Sequence, residues 1–169
     1  ECKNITYKMA QVAQDIIHRA FSLFDKFNES VETKMFDDES QLDLYEDKLG
    51  NYLIAISSKG LSDADSRAKF TMLHTIGDFE RLGDHAVNIL KSAKEIKDKD
   101  ISFSADANAE IAVLSNAIQN ILTITVDSFV SGNLEQATNV EPLEQVIDEL
   151  IATIKANHIR RLQHGNCTI

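Results

Sequence analysis

The sequence predicts an all-α fold, an up-and-down helical bundle made of one three-helix unit and part of a second. Three observations carry this. The 169 residues hold one Pro and six Gly. Leu, Ile, Ala, Glu, Asp and Lys dominate, so strong helix formers run on with few turns. Apolar residues recur at three and four, the spacing of one helix face. The second half of the chain also echoes the first.

The first helix is expected from about Ile5 to Asn28, with Met9, Val12, Ile16, Ala20, Leu23, Phe24 and Phe27 at that spacing. Glu29 to Asp38 is charged and poor in apolar residues, which reads as a loop or a frayed helix end. A second helix spans about Glu39 to Ser58, with Leu42, Leu49, Leu53 and Ile56 inside and Glu46 near the inner edge. Gly60 suits the left-handed stop after it. Ser62-Asp63-Ala64-Asp65 reads as an N-cap with an acidic first turn, opening a third helix that runs to about Lys97. Lys97-Asp98-Lys99-Asp100 is a charged linker. Ser104 caps a fourth helix, Ala105 to Val130, which Ser131-Gly132-Asn133 ends. A fifth covers Leu134 to Gln163, and Pro142 either kinks it or marks its true first turn. His164-Gly165-Asn166 is a stop signal.

The net charge of −10 and the pI near 4.9 argue against a nucleic-acid partner, whose phosphates need Lys and Arg, and against direct docking on anionic lipid. Cys2 and Cys167 form no CxxC and read as free thiols of a reducing compartment. No apolar run approaches the length of a membrane span, and no signal peptide is evident. A chain that opens on Glu1 rather than Met reads as a piece of something longer.

Charge, histidine and small residues are densest between His74 and Ile89. On a helix, Glu80 and Asp84 point within roughly 40° of each other, along a strip shared with Gly77 and Asn88. Ile76, Phe79, Leu82, Ala86, Val87 and Leu90 fill the arc beside it, the buried face of an amphipathic helix. Two carboxylates one turn apart repel unless a metal ion or a cation such as Arg81 offsets them. An oxygen-rich metal site is the sharper reading, and a surface pair balanced by Arg81 or a neighbouring Lys is the plainer one. Asp43 and Asp47 either add to a site near Glu46 or line a solvated face. His85 is turned roughly 140° from Glu80, and His74 lies three turns from His85, so neither joins that site. His18, His158 and His164 read as surface histidines. Gly77 and Gly83 point to close packing of a neighbouring helix, or to room for a ligand.

The repeat pairs Met9, Val12, Ile16, Asp25 and Phe27 with Ile111, Leu114, Ile118, Asp127 and Phe129. Glu46-Asp47-Lys48-Leu49 pairs with Glu144-Gln145-Val146-Ile147, and Gly60 with Gly165. The partner of the third helix would begin just after Thr168. Its absence leaves an apolar groove on the fourth and fifth helices, which invites self-association or a swapped helix.

These residues resemble the PhoU family. The specific match is Gly77-Asp78-Phe79-Glu80-Arg81-Leu82-Gly83-Asp84-His85-Ala86-Val87-Asn88-Ile89, similar to that family's E-R-x-x-D helix. Glu144-Gln145-Val146-Ile147-Asp148 is similar to its E-x-x-x-D on the middle helix. The wording looks most like the PhoU-type domain at the cytoplasmic end of bacterial sodium/phosphate cotransporters.

The resemblance implies three-helix repeats, residues 1–100 forming the first and 101–169 a partial second that lacks its last helix. It implies a role in phosphate uptake or its regulation against the membrane domain of a transporter. It also implies a divalent or transition metal ion at the acidic motifs. By that resemblance Glu80, Asp84 and Glu46 are ligands of one site, and Glu144 and Asp148 of another. Gly50 stands where the first repeat should offer an Asp, and the second repeat keeps Glu144 and Asp148 without its matching final helix, so neither site is complete in the family's form.

The expected function is therefore a cytoplasmic regulatory domain of a sodium-dependent phosphate transporter, membrane-associated and not an enzyme. The alternative is a carboxylate metalloenzyme on a helical bundle. A di-iron enzyme of that kind wants Glu-x-x-His on two helices, a spacing found nowhere in this chain.

Overall fold

The structure is a computed structural model that describes residues 2–56, 60–165 and 167. Every element among them is helical: α1 (Cys2–Asp25), α2 (Glu29–Ile56), α3 (Asp63–Asp98), α4 (Ala105–Ser131), the one-turn α5 (Leu134–Ala137) and α6 (Val140–Gln163). The all-α expectation holds. The chain forms two compact units, Glu1–Lys99 and Asp100–Ile169.

In the first unit α1, α2 and α3 pack on one another. The core takes Met9, Ile16, Ile17 and Leu23 from α1, Met35, Leu42, Leu49 and Leu53 from α2, and Ile76, Phe79, Val87 and Leu90 from α3. Ala10, Ala13 and Ala20 are also fully buried on α1, and such small side chains let neighbouring helices close in.

The charged stretch read as a loop is the first part of α2. Asn28 starts it, its Oδ1 accepting from the Ser30 amide at 2.9 Å. Met35 is fully buried there, and the carboxylate of Asp38, only 3 % exposed, is bound by both Arg19 and Lys34. Glu32 pairs with Lys94 at 2.6 Å and Glu29 with Lys97 at 3.4 Å. The charges that suggested a loop are thus matched across helices. The Ser58 end expected for α2 lies outside the described residues.

At 36 residues α3 outruns α1 (24) and α2 (28). Its C-terminal end is fastened to the α1–α2 turn, where Lys97 also sits over the Phe27 ring. Its first buried residue is Ile76, so the turns from Asp63 to Thr75 form an overhang that carries exposed Phe70, edge-on to His74 at 4.4 Å. Ser62 caps α3 as expected, accepting from the Asp65 amide at 3.1 Å. The charged linker is shorter than its sequence suggests: α3 runs to Asp98, and Asp100 takes the left-handed conformation that turns the chain.

In the second unit α4 packs on α5 and α6. Ser104 caps α4, and Gly132, left-handed at φ 72°, ends it. The single fifth helix is two pieces. Asn133 caps the one-turn α5, and α6 restarts at Val140 with Pro142 in its first turn, where a missing amide needs no partner.

Burial is slight. Leu122, Val126 and Ser128 are the buried residues of α4, and α6 has none. Glu110 ties the two helices, bonded to Arg161 at 2.8 Å and to Asn157 at 2.8 Å. The expectation that no segment reaches membrane-span length is corrected by α4, which is long and apolar enough by length and composition to cross a bilayer. Ser115, Asn116, Gln119 and Asn120 break the apolar run without lowering its average enough to matter.

Candidate functional site

The acidic residues of the first unit meet where α2 faces α3, and two glycines set the register. A Cβ at Gly83 would stand 2.8 Å from Leu42 Cδ1 and 3.9 Å from Glu39 Cγ, so the α3 backbone lies directly on α2 there. A Cβ at Gly77 would lie 3.6 Å from Glu46 Oε1, an ordinary contact. Gly83 therefore serves close packing, and Gly77 leaves room over a carboxylate. In this register Glu39, Asp43 and Glu46 of α2 face Glu80 and Asp84 of α3.

The electrostatics show the same gathering. Glu80 is half-buried, and its pKa is raised first by loss of solvent and then by the negative charges of Asp84, Glu46, Asp43 and Glu39. The Glu39 carboxyl is raised by burial, Asp43 and Asp84, against a lowering pull from Ser40 and Lys91. Among the described residues none of these carboxylates has a salt-bridge partner. Among the described residues neither Arg81 nor a lysine forms an ion pair with Glu80 or Asp84.

The donor set suits a hard cation, which takes carboxylate oxygens. As placed, no three His, Cys, Asp or Glu side chains among the described residues converge closely enough to hold one.

The structure thus brings Glu46, Glu80 and Asp84 into one neighbourhood and adds Asp43 and Glu39. Asp47 is exposed and is not among the charges acting on Glu80. Sequence reasoning misses Glu39 because it places that residue at the very start of a helix. Its spacing of four to Asp43 and seven to Glu46 was the available signal.

Glu144 and Asp148 lie exposed on α6, with no acidic helix facing them among the described residues. Glu110 of α4, which α6 does meet, is held below the ordinary carboxylate range by the Arg161 guanidinium.

His74 and His85 are exposed, away from the cluster. His164 donates from Nδ1 to the Arg160 carbonyl at 2.7 Å. Nδ1 of His158 lies 3.8 Å from the Cys167 thiol. His18 departs from its surface assignment, because its Nε2 is buried without a hydrogen-bond partner. Cys2 and Cys167 are free thiols.

Residues 6–93, which run from α1 through nearly all of α3, match the family model of the PhoU domain. The chain belongs to the PhoU family. The matched stretch contains Glu39, Asp43, Glu46, Glu80 and Asp84. The chain is similar to the "Phosphate-specific transport system accessory protein PhoU homolog" of Clostridium acetobutylicum, 25% identical over 149 residues, covering 87% of this chain and 67% of that protein. No solved structure matches.

Proposed function

We propose that this PhoU domain is the cytoplasmic regulatory part of a sodium-dependent phosphate transporter. It modulates phosphate uptake by contact with the transporter's membrane domain and works by binding, not turnover. Family membership and the phosphate-transport accessory role in the relative's name support the phosphate link. The motif wording between His74 and Ile89 favours the sodium-coupled class.

The observation that carries the regulatory reading is the uncompensated acidic face between α2 and α3. Like charges held together at a half-buried helix contact are a standing cost that a bound cation removes. We place a divalent or transition metal ion at Glu46, Glu80 and Asp84, with Glu39 and Asp43 adding negative potential around it. The metal supplies the counter-charge. The residues supply oxygen donors on two helices, so occupancy would tie α2 to α3 at that level.

The test is sodium-dependent phosphate flux in vesicles carrying the transporter with the domain intact, deleted, or bearing Glu80→Gln/Asp84→Asn, alongside elemental analysis of the domain. The reading expects a changed phosphate response on deletion and metal lost in the double variant. Flux unaffected by deletion sinks the regulatory role. Absence of metal from both proteins sinks the metal alone.

A further inference from the structure

Most of the glycines have a use within the chain. Gly60, Gly132 and Gly165 take the left-handed conformation, Gly83 lies on Leu42, and Gly77 lies over Glu46. Gly50 has no such use. It sits inside α2, where a glycine costs helix stability, and a Cβ there would meet nothing within 4 Å among the described residues. A bare backbone at that point suits close approach of something from outside.

Its surroundings show where that approach lies. On α2, Phe36, Asp43, Gly50 and Ile54 fall within about 40° of one another, on the outer rim of the seam with α3. On α3, Phe70, Gly77 and Asp84 span about the same arc. The register set by Gly83 on Leu42 and Gly77 over Glu46 brings Ile54 level with Phe70. Ile54 is 64 % exposed and Phe70 63 %, and Phe36 is exposed at the other end. The seam thus runs for about 27 Å from Phe36 to Ile54, apolar at its ends and acidic between. Its own unit has all three helices packed together, and they leave these residues uncovered.

Charge decides the occupant. Glu39, Asp43, Glu46, Glu80 and Asp84 form no ion pair among the described residues, and Lys91 is the cation that pulls on Glu39. A bound divalent ion leaves this face acidic. An acidic segment is repelled here, whereas one with Lys or Arg between apolar residues is complementary. A straight furrow between two helices takes such a segment as a helix. Cytoplasmic loops of membrane proteins are enriched in Lys and Arg.

We propose that a helix from the transporter's cytoplasmic side, carrying Lys or Arg between apolar residues, docks along the α2–α3 seam with its backbone closest at Gly50. The owner of that helix rests on the transporter reading above, and its chemistry rests on the seam.

The probe is a synthetic helical peptide with Lys and Leu on one face, titrated onto the full chain by fluorescence anisotropy with chelator present. The chain should bind it and should not bind the same peptide with Glu for Lys. Gly50→Gln should raise the melting temperature, because it improves the helix and meets no neighbour. It should nevertheless weaken binding about tenfold or more by blocking the approach. Phe70→Ala should weaken binding too, while Asp25→Asn, which removes a charge from the end of α1, should leave it unchanged. Binding indifferent to Gly50→Gln and Phe70→Ala overturns the proposal, as does equal binding of the Glu peptide. In the vesicle flux assay Gly50→Gln should reproduce the effect of deleting the domain. Flux changed by deletion but not by Gly50→Gln overturns docking at the seam. Flux unmoved by either, with peptide binding still dependent on Gly50, overturns the transporter as owner of the helix.

Discussion

Gly83 and Gly77 sit on the same helix and do opposite things. Gly83→Ala would push a methyl into Leu42, a fully buried side chain with nowhere to retreat. We expect a net loss of about 1–2 kcal/mol in urea denaturation, overpacking outweighing the helix gain. Gly77→Ala makes only an ordinary contact and should gain about 0.5–1 kcal/mol in the same assay.

Glu80 gives a pH signature. Its folded pKa lies above the ordinary 4.5, so its contribution favours the fold below the unfolded value and is lost as pH rises through the folded one. Metal-free Glu80→Gln should therefore be more stable than wild type at neutral pH. That margin should shrink as pH falls toward 4.5, read from melting temperatures along a pH series. Added metal should stabilise the wild type and leave Glu80→Gln/Asp84→Asn unmoved.

Among the elements, the start of α2 is where sequence reading failed and where packing is instructive. Periodicity located α1, α3 and α4 because their apolar stripes are regular and their caps are local. The segment from Glu29 to Asp38 has few apolar residues, and its helix is held by partners distant in sequence: Arg19 for Asp38, Lys94 for Glu32 and Lys97 for Glu29. Local patterns cannot show such partners. The same blindness hid Glu39, whose role depends on the register between α2 and α3. Asp38→Ala should cost about 2 kcal/mol in chemical denaturation, less than the ~3–5 kcal/mol of a wholly buried pair because Arg19 and Lys34 keep some water.

Across the whole molecule, stability is unevenly placed. The first unit owns nearly all the buried side chains, and the second rests on a few residues of α4 and the Glu110–Arg161 tie. Hydrogen exchange should find the slowest amides in the middle of α1 and fast exchange along α6.

The repeat in the sequence pairs Glu46 with Glu144 and Gly60 with Gly165. What it could not tell is the register of the acids across α2 and α3. That register is set by a glycine contact that leaves no periodic trace.

The overhang of α3 makes the helix a lever. Its C-terminal end is pinned at Lys94 and Lys97, Glu80–Asp84 lies about 20 Å along from there, and Asp63 lies about 50 Å along at a rise of 1.5 Å per residue. A tilt about the pinned end that shifts the acidic residues by about 1 Å swings the free tip by about 2.5 Å. Under the proposed function, an ion held at Glu46, Glu80 and Asp84 would thereby be geared to a larger displacement at the free tip.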